Sequence, residues 1–139
     1  MTPVPLIPVL IAAVAAFMFG AIWYSPLLFL KTWCKEAGID PATRPDNPAI
    51  SYGLTFALTF IAAYALGIVM PTGSHPTHLL RFAIVIGIGI VGSSLAINYQ
   101  FSDKSWRLWL IDAGHHVGRL MTMVLVLNYF GVPFKPVPS

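Results

Sequence analysis

The sequence predicts an all-α protein, a transmembrane four-helix bundle built as one domain. Three observations lead there. Charged residues make up 9% of the chain and hydrophobic residues 57%, whereas a soluble domain carries roughly a quarter charged residues to cover its water-facing surface. Four apolar runs are each long enough to cross roughly 30 Å of hydrocarbon. Two of the three connections between them are short, which makes neighbouring helices antiparallel and packed. A chain of 139 residues suits a single integral membrane domain.

The first span is expected over residues 6–30, Leu6 to Leu30. Pro3, Pro5 and Pro8 suit a helix start, where a missing N–H does no harm, and Pro26 should kink or end the helix near Ser25. No Lys or Arg precedes the apolar run, so it reads as a retained span and not as a cleaved signal. A polar loop follows over residues 31–48, with Lys31, Lys35 and Arg44 set against Glu36, Asp40 and Asp46. The second span covers 50–70 and is stopped by Pro71-Thr72-Gly73. The third covers 79–99. The fourth covers 106–130, ahead of Gly131 and Pro133.

Charge sets an expected orientation. The two connections on one side carry Lys31, Lys35, Arg44, Lys104 and Arg107, and the other side carries Arg81 and Lys135. The positive-inside rule makes the 31–48 loop cytoplasmic and turns both termini outward. Trp23, Tyr24 and Trp33, with Trp106 and Trp109, cluster at the same side and read as an interfacial aromatic belt. The basic residues are scattered, so nucleic acid is not an expected partner. The lone Cys34 supplies no disulfide and no metal pair.

Small residues recur at four-residue spacing: Ala12, Ala16 and Gly20 in the first span, Gly89 and Ser93 in the third, Gly114 and Gly118 in the fourth. Lipid provides little hydrophobic drive between helices, so such faces gain their energy from close backbone approach. Packing within one bundle explains them, and so does an interface between copies or with other membrane subunits.

The chemistry concentrates in span four. At ~100° per residue, Asp112, His115, His116 and Arg119 share an arc about 100° wide and contact one another at i,i+3 and i,i+4 spacing. An Asp or Arg at a helix centre costs roughly 2.5–3.5 kcal/mol on insertion, so this stripe should avoid lipid tails. Four readings compete. Asp112 and Arg119 neutralise each other, with the histidines and Asn98 completing a buried network. Or the helix enters the membrane late, leaving the stripe among headgroups. Or the stripe conducts protons or ions, His being the side chain that titrates near neutral pH. Or His115 or His116 ligates haem or a pigment. His75 and His78 make a poor metal site because no acid is near. No metal cage, nucleophile–base spacing or nucleotide motif stands out, so neither catalysis nor a cofactor is expected.

Two stretches, GAIWYSPLLFLKTW (Gly20 to Trp33) and NYQFSDKSWRLWLIDAG (Asn98 to Gly114), resemble a family of small four-span bacterial membrane proteins, domain of unknown function 1761. The matching positions are Gly20, Trp23, Tyr24, Lys31, Trp33, Asn98, Phe101, Trp109 and Gly114. Where the family pattern looks like Asn-Ala-Gly-Tyr, this chain has Asp112-Ala113-Gly114-His115, so the acid and that histidine are departures from it. The resemblance implies the four-span fold and a bacterial inner membrane, and it implies no reaction. The expected function is a non-enzymatic accessory or structural subunit, in a homo-oligomer or a larger membrane complex. A small proton- or ion-coupled transporter is the first alternative and a haem- or pigment-binding subunit the second.

Overall fold

A computed structural model describes residues 4–71 and 74–130. The described residues are helical, with no strand among them. α1 spans Leu6–Trp23, α2 Leu30–Ala37, α3 Pro48–Val69, α4 Pro76–Ile84, α5 Ser93–Phe101 and α6 Trp106–Tyr129. A π-helical stretch, Val85–Gly92, joins α4 to α5, so these run as one span from Pro76 to Phe101. Four helices are long and apolar enough to cross a membrane. Thr72 and Gly73 of the expected turn lie outside the described residues, as do Pro3, Gly131, Pro133 and Lys135.

Local chemistry explains most of the boundaries. Asn47 caps α3, its Oδ1 accepting from the Ile50 amide at 3.1 Å, and Pro48 follows at the first position, where no N–H is needed. Ser105 caps α6, its Oγ accepting from the Leu108 amide at 3.1 Å. Gly38 closes α2 at φ 74°, a left-handed conformation that carries no steric penalty without a Cβ.

The first span breaks where Pro26 was expected to end or kink it, and its last part, up to Leu30, is not a continuation of the helix. α1 ends at Trp23 instead of continuing to Leu30. Pro26 has no N–H to give the Ile22 carbonyl, and its ring would collide with it. The chain turns instead, the Ser25 amide donating to Ile22 O at 3.1 Å and the Phe29 amide to Trp23 O at 3.1 Å. The 31–48 loop is correspondingly more ordered than expected, because its first part belongs to α2. That helix buries Cys34 and packs on α6. Glu36 accepts from Ser105 Oγ at 2.5 Å, and Lys104 Nζ donates to the Ala37 carbonyl at 3.5 Å. The two connections expected on one side thus touch each other.

The bundle is divided along its length. Away from the α2 end lies an apolar core of Val9, Ala12, Ala13 and Ala16 against Ala63, Leu66, Leu79, Ala83, Met123, Val124 and Leu127, with Ala16 at its border. Toward the α2 end, aromatic and polar side chains fill the space between helices. The outer faces are apolar and open, with Ile7, Ile50, Ile61 and Ile90 more than half exposed, as lipid contact requires.

The π-helical stretch resets which face of span three points inward. Gly87 and Gly92 are buried against α6, where a Cβ on Gly87 would lie 2.8 Å from Val117 Cγ2. Gly89 and Ser93, expected to form the packing face, point outward, and nothing lies within 4 Å of a Cβ on Gly89. A wider turn shifts the phase of every later side chain, so four-residue spacing no longer marks one face. Ser93 Oγ donates to the Gly89 carbonyl and Ser94 Oγ to the Ile90 carbonyl, both at 2.7 Å.

Candidate functional site

Asp112 is the centre of the polar half. It sits six residues after Trp106, ~9 Å along α6, and is 8% exposed. Tyr24 Oη donates to its Oδ1 at 2.6 Å, Trp33 Nε1 to the same oxygen at 2.9 Å, and Tyr99 Oη to its Oδ2 at 2.5 Å. The donors come from the end of α1, from α2 and from α5. Each hydrogen bond to a charged group contributes about 1.5–3 kcal/mol, which offsets the desolvation of the carboxylate. Tyr24 lies just beyond α1, and burial followed by the adjacent carboxylate raises its pKa above the ordinary tyrosine value. It remains a donor across the biological pH range.

This arrangement changes three sequence expectations. No ion pair joins Asp112 to Arg119 among the described residues; they stand seven residues apart, ~10 Å along the helix. Asn98 is exposed on α5 and is not part of the stripe. Its neighbour Tyr99 is the residue that turns inward. Trp23, Tyr24 and Trp33 are not a belt facing headgroups, since each directs its polar atom into the protein, Trp23 Nε1 to the Ile111 carbonyl at 3.1 Å. Trp109 does the same, donating to the Gly92 carbonyl at 2.8 Å. Trp106 is 67% exposed.

The small residues of α1 and α6 meet each other's large ones. Ala12 and Ala16 are buried in the core. A Cβ on Gly114 would lie 3.1 Å from the Trp23 ring, and one on Gly118 would overlap the Phe19 ring. A Cβ on Gly20 would lie 3.0 Å from His115 Nε2. These faces are therefore consumed inside the bundle. His115 is held among Phe19, Tyr24 and His116, with ring centroids 6.1, 4.8 and 5.3 Å away.

Beyond Asp112 the stripe opens into a cleft of about 670 Å³ between α1, α3 and α6. Phe17, Gly20, Ala21 and Tyr24 form the α1 wall. Tyr52, Thr55 and Thr59 form the α3 wall, and His115 and Arg119 the α6 wall. Ala21, Tyr52 and Thr55 are exposed at its mouth, while Ala16 and Thr59, 2% and 3% exposed, lie at its floor. The mouth is at the α2 end of the bundle, and the floor is seven residues deeper along α3, ~10 Å. Arg119 Nε is buried and has no hydrogen-bond partner among the described residues. The α3 stripe escaped the sequence reading, although Tyr52, Thr55 and Thr59 repeat at helical spacing in an otherwise apolar span.

No curated protein and no solved structure matches the chain. Residues 7–128 match the family described as "Protein of unknown function (DUF1761)". The match takes in all four spans, the Asp112 cluster and the cleft, and the chain belongs to that family.

Proposed function

We propose that this is a non-enzymatic membrane protein that admits a small ligand into the α1–α3–α6 cleft and acts as a binding protein or small carrier. One observation carries the proposal: an open cleft of about 670 Å³ reaches from the α2 end to Arg119 at mid-span, a half-buried arginine whose Nε is closed off. That size falls within the range of ligand sites, ~300–1,000 Å³. Intramembrane ionisable residues that face a cavity mark substrate and ion pathways.

Between an accessory subunit and a solute-handling protein, the cleft favours the second. Asp112 is saturated by three donors and is part of the architecture. His115 and Arg119 are the stripe members that line open space. Haem or pigment ligation finds less support, since His115 Nε2 is packed against Gly20. The positive-inside bias supports a cleft mouth on the cytoplasmic side of a bacterial inner membrane.

Cysteine accessibility tests this reading. In a Cys34→Ala background, Thr59→Cys at the floor should react with a small, membrane-impermeant thiosulfonate. Val14→Cys, on the 47% exposed outer face of α1, should not. If the floor position resists the reagent while Tyr52→Cys at the mouth reacts, the cleft is closed to water and the reading is lost.

A further inference from the structure

Charge decides what the cleft can hold. The chain has five acids, Glu36, Asp40, Asp46, Asp103 and Asp112, and none of them lines it. Arg119 is its one formal charge, and no ion pair neutralises it among the described residues. A guanidinium does not release its proton in a protein, so it cannot escape burial by becoming neutral as a lysine can. Arg119 lies thirteen residues into α6, ~20 Å from the helix start and well below headgroup depth. Its buried Nε lacks a partner among the described residues. Nε is closed off from the cleft, so the terminal Nη nitrogens are the donors an entering carboxylate or phosphate would meet, as a charge-assisted pair.

The other polar groups define the rest of the ligand. Thr59 Oγ1 donates to the Thr55 carbonyl at 2.8 Å, and Thr55 Oγ1 to the Ser51 carbonyl at 2.7 Å. Tyr24 donates to Asp112. A hydroxyl has one proton, so these three protons are spent within the protein, and none of the three groups carries a negative charge to balance Arg119. The space is far larger than an inorganic ion needs, a water occupying ~30 Å³, and Phe17 and Ala21 supply apolar wall.

We infer that Arg119 binds the oxyanion, carboxylate or phosphate, of an organic ligand whose apolar body fills the cleft. This rests on the cleft being a ligand site and adds the class of ligand. The same chemistry is offered by an anionic lipid headgroup and by a soluble organic acid, and the mouth near headgroup depth admits both.

The test uses the full chain with Cys34→Ala and Thr59→Cys in a maltoside detergent. The anionic sulfonatoethyl thiosulfonate should label the thiol introduced at the cleft floor at least ~10-fold faster than the cationic trimethylammonioethyl reagent, the scale of one charge-assisted hydrogen bond. Arg119→Gln should remove that preference. With Arg119 intact, dioleoyl phosphatidylglycerol or octanoate should protect the introduced thiol. Protection by the lipid alone identifies a headgroup site, and protection by octanoate identifies a soluble organic acid. Labelling with no charge preference, and protection by neither probe, overturns the oxyanion while leaving the cleft intact. No labelling by either reagent removes the cleft itself, and the inference with it. Should Arg119→Gln fail to fold, the protection arm decides alone.

Discussion

Tyr24 and Asp112 lie 88 residues apart in the chain and 2.6 Å apart in space. That contact, with those from Trp33 and Tyr99, ties α1, α2 and α5 to a single carboxylate on α6. Near the α2 end a hydrogen-bonded hub takes the place of the apolar packing that holds the other half.

Removing the hub's acceptor should therefore destabilise more than one helix contact. Asp112→Ala leaves two hydroxyls and an indole N–H without their partner and should cost about 3 kcal/mol. Asp112→Asn keeps an acceptor oxygen and should cost roughly half as much. Thermal unfolding in detergent gives both values. An unchanged midpoint for Asp112→Ala would mean that the aromatic donors find other acceptors and that the hub contributes nothing.

The glycines should separate into two classes. Gly118→Ala drives a methyl into the Phe19 ring and should destabilise by about 1–3 kcal/mol. Phe19→Leu should recover part of that loss. Gly89→Ala meets nothing, and it should be neutral or stabilise by about 0.4–1 kcal/mol because alanine restricts the unfolded chain. Equal effects at the two positions would contradict the inward face assigned to α6 and the outward face assigned to span three.

Cys34 provides a native reporter for α2. It is 3% exposed and, unlike Thr59, does not line the cleft, so maleimide should react slowly with the folded protein. Trp33→Phe deletes the indole bond to Asp112, one of the ties that hold α2 against α6. Labelling of Cys34 should then accelerate at least about tenfold, since local opening free energy converts directly into accessibility. Equal rates in parent and variant would show that α2 is held by Glu36 and its contacts with Ser105 and Arg107.

A proton pathway would run through the histidines, and the hub makes that route unfavourable. Asp112 has all its donors within the protein and is no open relay station. In proteoliposomes, the His115→Ala, His116→Ala double variant should show the same proton leak as the parent in a pH-dye assay. A loss of conductance of tenfold or more in the variant would restore the relay and make His115 and His116 the first residues to dissect.

Sequence alone determined the solvent, the four spans, the break ahead of Pro26, the helix start at Trp106, and the side on which the two connections meet. Hydropathy and proline geometry act over a few residues, so one chain displays them. It also placed Asp112, His115, His116 and Arg119 on one face, because helical phase is local too. What it left open was which groups those residues meet. The donors to Asp112 come from three other segments, and the π-helical turn rotates span three so that Gly87 and Gly92, not Gly89 and Ser93, face α6. Only the tertiary structure decides that the acid is saturated and the arginine is not. A buried charge is satisfied by what the fold brings within hydrogen-bonding reach of it, and neighbours along the chain do not reveal that set.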